Sequence, residues 1–439
     1  MCAPHHFGNH PDGHTVFSLW DTYRAAHPLY TLLEPSRSND FIRGLLAYYR
    51  RKGDLPVWSL WGEETDCMIG NHAISVIADA YVKGIRDYDV RTALEATRHA
   101  TRRNRFGQEF YRSHGYVPAQ HESESVSKTL EYAYDDWCAG VLAQEMGLKD
   151  SARVHFERAQ NYKNIFDPAS SFFRAKNNAT WHRPFDPTEV NFHYTEANAW
   201  HYRFAVPHDV QGMIAAFGGK IRFTAALDSL FGAASQTTGR DQVDITGRIG
   251  QYAHGNEPSH HVAYLYNYAG QPWKTQRRVR QIMDELYTDQ PDGLCGNEDC
   301  GQMSAWYVFS ALGFYPLAPG RPEYTLGTPL FEKVTLRLEN GRSFVIEAPE
   351  SASAKCYVQN VLLNGKRLPA NRLLHADIVQ GGNLKFEMGA NPGSFGVSEQ
   401  EQSISAIDKT PFTPVPYIVA NQRAFRGKQS VSLLCSDPA

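Results

Sequence analysis

The amino-acid sequence predicts a mainly α-helical fold with a small antiparallel β appendage on its carboxy-terminal side. Between residues 39 and 318, apolar side chains recur every three or four positions, the period of a half-buried helix. From Val334 onward, apolar and polar residues alternate, the period of a strand. Two Asn-Gly dipeptides, at 340–341 and 364–365, predict hairpin turns between such strands.

Five helical segments carry recognisable end signals. Asn39-Asp40 is a candidate cap for the first, and Gly53, Gly147 and Gly313 are candidate stops for three of them. Asp150-Ser151 opens another, with one predicted apolar face made of Val154, Ala159, Tyr162 and Phe166. The last two are predicted to begin at Pro272 and to span Gln302–Leu312. Helices paired by long polar loops suggest a toroid of helical hairpins, although periodicity alone does not distinguish it from other all-α bundles.

These patterns divide the chain into four parts. Residues 1–16 are predicted to be an amino-terminal loop, and 17–319 the helical, catalytic domain. Residues 320–395 are predicted to form the β appendage, packed on that domain. The polar, Pro-rich stretch from 396 and the strand-like residues up to 439 are interpreted as a linker and an incomplete β tail.

Composition excludes several classes of protein. The 439 residues carry a net charge of −3, which argues against a broad basic nucleic-acid surface. No apolar run is long enough to predict a membrane span, and the amino terminus lacks the pattern of a signal peptide. The seven cysteines are widely spaced without a CxxC pair, so we expect mostly free thiols.

Two loops hold acids in unusual surroundings. In F-S-L-W-D-T-Y-R (17–24), Asp21 precedes a predicted helix and is interpreted either as a helix cap or as a site residue. In Y-T-E-A-N-A-W-H-Y (194–202), aromatic residues flank Glu196. Burial beside such rings raises a carboxyl pKa, as a general acid requires, while the alternative is a surface residue in a capping box.

The stretch G-Q-Y-A-H-G-N-E-P-S-H-H (250–261) concentrates polar groups in one loop. Its Asn256 and Glu257 offer oxygen ligands that suit a hard cation such as calcium. The three histidines would instead suit zinc, but they lack the H-E-x-x-H spacing, and each alone is better interpreted as structural.

The stretch G-N-E-D-C-G-Q-M-S-A-W (296–306) places two adjacent acids before a predicted helix. In isolation, Glu298 and Asp299 are best explained as helix-capping residues. If the loops of Glu196, Glu257 and Asp299 converge, however, they supply a protonated acid, an ion ligand and a base. Two carboxyl groups flanking a glycosidic bond are the usual means of hydrolysing it.

Together these stretches resemble glycoside hydrolase family 92, the calcium-dependent exo-α-mannosidases. The similarity covers about residues 14–395 and rests on six ordered motifs, namely F-S-L-W-D-T-Y-R (17–24), C-M-I-G-N-H (67–72), S-K-T-L-E-Y-A-Y-D-D-W-C (127–138), T-E-A-N-A-W (195–200), the 250–261 stretch and G-N-E-D-C-G-Q-M-S-A-W-Y (296–307). The resemblance implies an (α/α)6 toroid and inversion at the anomeric carbon, with calcium helping to bind and distort mannose.

The resemblance also implies site roles. Glu196 is expected to be the general acid and Asp299 the general base. Glu257 and Asn256 are expected calcium ligands, and Gln242 in G-R-D-Q-V-D (239–244) is a weaker candidate. The residues expected to bind the substrate are Trp20, Asp21, Trp200, His260 and Asn297. The substrate is expected to be a mannose-containing oligosaccharide, such as an N-glycan or mannan chain.

The sequence also departs from the family pattern. Only 16 residues precede Phe17, where relatives carry a β-sandwich domain, so a separate amino-terminal β-sandwich domain is an expected partner. Asn297 stands where many relatives carry Asp. The resemblance implies a periplasmic or secreted protein. Two alternatives remain, an inactive or sugar-binding remnant and, less favoured, a polysaccharide lyase on an α/α toroid.

Overall fold

The computed structural model describes residues 14, 16–407, 410–420 and 425–435. Helices dominate up to residue 312, and the α-helices of the described residues are Leu19–Thr22, Ala26–Leu33, Pro35–Lys52, Ala73–Val82, Val90–Ala100, Gln108–His114, Ser125–Glu145, Lys149–Arg158, Ala199–Tyr202, Val210–Ala216, Lys220–Gly232, Pro272–Leu286, Gln302–Leu312 and His375–Val379. Short 3-10 helices cover Asn161–Ile165, Pro207–Asp209, Glu257–Ser259, Val262–Ala269 and Glu399–Glu401. None of the described helices combines the length and apolar character needed to cross a bilayer.

The helices form a closed ring. The helix Gln302–Leu312 packs against Ala26–Leu33, so the last long helix of the region meets one of the first. The side-chain oxygen of Gln302 accepts the backbone N–H groups of Ala25 and Ala26 at 2.9 and 3.1 Å, which ties the two ends together. The interior is filled by large buried aromatic side chains, including Tyr264 and Trp306. The predicted toroid of helices is therefore present.

Two predicted helices are confirmed to the residue or nearly so. Gln302–Leu312 ends at Gly313, whose φ of 90° lies in the left-handed region that stops helices. Pro272 occupies the first turn of Pro272–Leu286. The first predicted helix begins earlier than expected, because Pro35, and not Asn39, occupies its first turn.

The predicted helix opened by Asp150-Ser151 is shorter than expected. It ends at Arg158, Tyr162 lies in the 3-10 helix Asn161–Ile165, and Phe166 begins a short strand. Both aromatic side chains are still buried, although Tyr162 lies in a 3-10 helix and Phe166 in a strand.

The β appendage centres on a five-stranded sheet in the spatial order Lys333–Arg337, Ser343–Glu347, Gly382–Gly389, Tyr357–Leu363 and Lys366–Arg367. The predicted Asn364-Gly365 turn is confirmed, with φ angles of 51° and 79°. The predicted antiparallel pairing is present at three of the four pairs of this sheet, whereas Ser343–Glu347 lies parallel to Gly382–Gly389. A crossover through the helix His375–Val379 precedes the second of these strands and allows that pairing.

Smaller sheets join the loops. Three-stranded sheets contain Phe17–Ser18, Trp58–Leu60 and Glu63–Glu64, and Phe314–Tyr315, Glu323–Leu326 and Arg372–Leu374. Two-stranded pairs are Phe166–Asp167 with Phe172–Phe173, Lys176–Asn177 with Thr180–Trp181, Glu189–Val190 with Thr238–Gly239, Arg248–Ile249 with Tyr252–Ala253, and Tyr417–Val419 with Ser432–Leu434.

The segment predicted to be a linker packs against the toroid over part of its length. The backbone of Ser405 exchanges hydrogen bonds with Gln211, and the N–H of Val415 donates to Asn164 at 2.8 Å. Tyr417 then packs against Trp181, with ring centroids 5.2 Å apart and the ring planes tilted by 56°. The tail thus lies along the outside of the helical ring. At the other end, most of the predicted amino-terminal loop lies outside the described residues.

Candidate active site

Glu196 lies in a loop that is fixed on both sides. The N–H of Thr195 donates to the Ser127 hydroxyl at 2.9 Å, and the Asn198 side chain caps the helix Ala199–Tyr202. Asn256 donates to the backbone oxygen of Glu196 at 3.2 Å and to its carboxylate at 3.4 Å. Because Asn198 performs the capping, the alternative interpretation of Glu196 as a capping residue is wrong.

The surroundings of Glu196 favour its protonated form. Burial and, after it, the nearby carboxylates of Asp244, Asp21 and Asp299 together raise its pKa to about 8. A carboxyl group with this pKa carries a proton at neutral pH, as a general acid must.

A cluster of three carboxylates lies beside Glu196. Asp21, Glu257 and Asp299 each offer an oxygen, and these atoms lie within 4.8 Å of one another. Burial raises the pKa of all three, that of Asp21 to about 7. The charge of Asp299 raises the pKa of Asp21 and of Glu257 further, whereas Asp299 itself is repelled by Asp244 and Glu298. Carboxylates held this closely require a shared proton or a cation between them. The cluster is therefore a possible metal site.

Two further oxygens support that interpretation. Glu257 Oε1 and Asn256 Oδ1 are buried and have no hydrogen-bond partner among the described residues. An unpaired buried acceptor is costly, whereas hard cations bind carboxylate and amide oxygens directly. The donor set is entirely oxygen, so it fits calcium rather than zinc.

The adjacent acids Glu298 and Asp299 make different contacts. Glu298 accepts the backbone N–H of Ser304 at 3.1 Å and its hydroxyl at 2.9 Å, in the first turn of Gln302–Leu312. Asp299 turns toward the carboxylate cluster and has a left-handed φ of 53°. Glu298 therefore makes the capping contacts, whereas Asp299 belongs to the carboxylate cluster, and its role as a base stays a prediction. Asp21 lies inside Leu19–Thr22 and does not cap it.

Asp244 is a site residue that the sequence interpretation missed. Its carboxylate accepts the side-chain amides of Gln242 and, at 3.2 Å, of Asn297. After burial, its charge has the largest effect on the pKa of Glu196. Asp244 ends the G-R-D-Q-V-D stretch (239–244), two residues after the predicted ligand Gln242. Its contacts bring Gln242 and the exposed Asn297 to the same edge of the site.

His260 does not occupy the place predicted for a sugar contact. It is completely buried, and its ring nitrogens contact the His254 carbonyl at 3.0 Å and the Gln302 amide at 2.9 Å. Because Gln302 in turn binds the chain just after Asp21, His260 positions the site from within the core.

The two predicted tryptophans also pack inward. Trp20 is 1% exposed, and the guanidinium carbon of Arg24 lies 5.0 Å from the centroid of its ring. Its contact with sugar stays a prediction. Trp200 is half-buried, with Phe172 edge-on at 5.0 Å and Arg203 at 4.9 Å. Its role in binding sugar stays a prediction.

A buried ionic network supports the strand and helix that carry Asp21. Arg24 contacts Glu131 at 3.3 Å, and His72 lies between Glu131 at 3.3 Å and Asp135 at 3.0 Å. Burial alone would lower the pKa of His72, but the two carboxylates outweigh it and raise the pKa to about 9. The network joins the 67–72 and 127–138 motifs, whose roles the sequence alone did not indicate.

Comparisons with known proteins agree with this geometry. The family model described as "Glycosyl hydrolase family 92 catalytic domain" matches residues 5–390. A solved GH92 α-mannosidase from Bacteroides thetaiotaomicron, in complex with mannoimidazole, is 41% identical with a TM-score of 0.85, covering 91% of this chain and 55% of that one. An inverting GH92 mannosidase of the same organism is 41% identical with a TM-score of 0.82, covering 89% and 56%.

A curated relative from Arthroderma benhamiae is named an uncharacterized secreted glycosidase. It is 29% identical over an alignment 424 residues long that covers 86% of this chain and 52% of the relative. The chain therefore spans about half the length of the relatives it matches. These solved relatives are helical toroids, in agreement with the predicted (α/α)6 fold. Since the family model covers most of the sequence, the chain belongs to glycosyl hydrolase family 92.

Proposed function

We propose that this chain is the catalytic part of an inverting exo-α-mannosidase that releases mannose from α-mannosides such as N-glycan or mannan chains. The observation that carries the proposal is the convergence of four segments, which brings Glu196 beside the Asp21–Glu257–Asp299 cluster. Glycoside hydrolysis uses one protonated carboxyl group as the acid and a second, ionised carboxylate as the base.

Glu196 would protonate the leaving glycosidic oxygen. Asn256 holds both its backbone and its carboxylate, which fixes the direction in which the proton is presented. The hydrogen bond of Thr195 to Ser127 holds the neighbouring backbone as well. Asp299 would accept a proton from water attacking the opposite face of the sugar, and Asp21 would bind sugar hydroxyls.

The unpaired oxygens of Glu257 and Asn256 support a calcium site next to this chemistry. Calcium held there would supply positive charge that binds sugar hydroxyls and favours a distorted ring. Gln242 stays the weaker ligand candidate, because its amide nitrogen is directed to Asp244. Asn297 and Asp244 would line the same edge of the pocket.

The test is turnover of α-linked mannobiose by the purified chain, with calcium and with EDTA. Release of β-mannose only with calcium, followed by NMR of the anomeric proton, is expected for an inverting, calcium-dependent enzyme. Release of α-mannose would overturn inversion. Mannose binding without turnover would favour the sugar-binding remnant, and adding an amino-terminal β-sandwich domain in trans would test whether that partner is required.

Two features weigh on the remaining expectations. Membership of a glycosyl hydrolase family argues against the polysaccharide lyase alternative. The curated relative is named as secreted, which supports the proposal that this protein also acts outside the cytoplasm, in the periplasm or the medium. Detection of the protein in culture medium or periplasmic extract, rather than in the cytosolic fraction, would check that proposal.

A further inference from the structure

Phe192 is a large aromatic side chain that faces solvent close to the general acid. Its side chain is 68% exposed, although most aromatic rings of the chain are buried. It lies four residues before Glu196, in the loop that carries the acid. An exposed aromatic face at this place is available to a ligand, and it takes no part in the chemistry described above.

The backbone around Phe192 is held firmly. The carbonyl of Phe192 accepts the N–H of Glu124 at 2.6 Å, and the carbonyl of His193 accepts that of Val126 at 3.1 Å. Both donors lie at the start of the helix Ser125–Glu145. With the Thr195–Ser127 bond, the loop follows the first turn of that helix, so the position of Phe192 relative to Glu196 is fixed.

Arg240 covers one face of the Phe192 ring. Its guanidinium carbon lies 4.8 Å from the ring centroid, and its backbone N–H donates to Val190 at 3.0 Å. The parallel pairing of Glu189–Val190 with Thr238–Gly239 holds the two loops side by side. Arg240 Nε is buried and has no hydrogen-bond partner within the described part of the chain. The pair thus offers a free ring face beside an incompletely bonded guanidinium.

The loops of this pair lead directly into the site. Glu196 lies four residues after Phe192, and Asp244 lies four residues after Arg240. The two loops start side by side at the pairing of Glu189–Val190 with Thr238–Gly239, and the charge of Asp244 acts on Glu196. The exposed ring therefore stands on the side of the pocket where the general acid lies.

We propose that Phe192 and Arg240 form the binding site for the sugar ring that leaves, the first unit on the reducing side of the cleaved bond. This inference rests on the proposed function, because a general acid contacts the glycosidic oxygen and so lies between the reacting mannose and the leaving sugar. The free face of Phe192 stacks on the C–H face of that ring, and Arg240 donates hydrogen bonds to its hydroxyl groups. The site takes a neutral pyranose joined to mannose by an α-linkage.

The test compares two substrates that share the reacting mannose. α-Mannobiose has a sugar leaving group, whereas α-mannosyl fluoride has none. For Phe192→Ala, the ratio of kcat/KM for mannobiose to kcat/KM for the fluoride is expected to fall about tenfold, equivalent to ~1.4 kcal/mol of lost contact. Arg240→Met is expected to lower the same ratio. Phe331→Ala, which removes a 51% exposed ring from the β appendage, is the matched control and should leave the ratio unchanged.

A ratio in Phe192→Ala and Arg240→Met equal to that of the wild type would overturn the inference while leaving the proposed function intact. If the wild-type chain hydrolyses neither substrate, saturation-transfer NMR of bound mannobiose gives a second measurement. The site is supported if the saturation transferred to the reducing ring, relative to that of the non-reducing ring, is lower in Phe192→Ala than in the wild type. Equal saturation in both proteins, or no binding of mannobiose, overturns it, and the latter also overturns the proposed function.

Discussion

Removing the side chain of Gln302 is expected to weaken the closure of the helical ring. In Gln302→Ala, three buried groups lose their partner, namely the N–H groups of Ala25 and Ala26 and Nδ1 of His260. All three residues are at most 3% exposed, so water does not replace the amide without rearrangement. Leaving a buried polar group unpaired costs about 1–3 kcal/mol, which gives a loss of ~3 kcal/mol or more in the free energy of unfolding.

Equilibrium unfolding in urea, followed by tryptophan fluorescence, measures this loss. Trp306 is a suitable reporter because its indole N–H donates to the His260 carbonyl at 2.9 Å. Gln281→Ala is the control, since the side chain of Gln281 bonds to its helix neighbours Arg278 and Glu285, and its loss should change stability by ~0.5 kcal/mol or less. A loss below ~1 kcal/mol in Gln302→Ala would refute the argument that this amide holds the ring closed.

Three further predictions concern the site and its support. Glu196→Gln should lower kcat on mannobiose by ~10²–10⁴-fold while sparing α-mannosyl fluoride, and equal losses on both would argue against the general acid. Asp299→Asn should abolish hydrolysis of both substrates, whereas wild-type rates would exclude it as the base. The raised pKa of His72, about 9, predicts a contribution to stability that is complete below pH ~6.5 and is lost as pH rises toward 9, by up to ~3 kcal/mol. His72→Gln should therefore show a shallower fall in unfolding free energy between pH 7 and 9, and parallel curves would contradict this.

The sequence was most informative where local signals decide structure. Gln302–Leu312 was predicted to the residue because a left-handed glycine follows it, and the Asn364-Gly365 turn because both residues tolerate positive φ. Tyr162 and Phe166 were assigned to a helix because their apolar spacing continues past its end, and spacing does not register a change to a 3-10 turn.

The remainder depended on contacts between distant segments. The parallel pairing of Ser343–Glu347 with Gly382–Gly389 has no local signature. Asp244 was not predicted because its importance comes from the effect of its charge on Glu196, which lies 48 positions away in the sequence. His260 was assigned to the sugar because the sequence placed it in a polar loop, whereas the fold turns that loop into the core. Composition and motifs thus located the loops of the site but not the direction of each side chain.

The left-handed backbone at the two proposed catalytic acids has an evolutionary consequence. Glu196 has a φ of 51° and Asp299 of 53°, a region in which glycine or asparagine is more comfortable than a glutamate. Selection for stability alone would therefore favour replacement by glycine at both positions, whereas selection for activity retains the two acids. Among homologues that have lost activity, these two positions should be among the first to change. Glycine at either position would then be an early sign, in the sequence, of an inactive homologue.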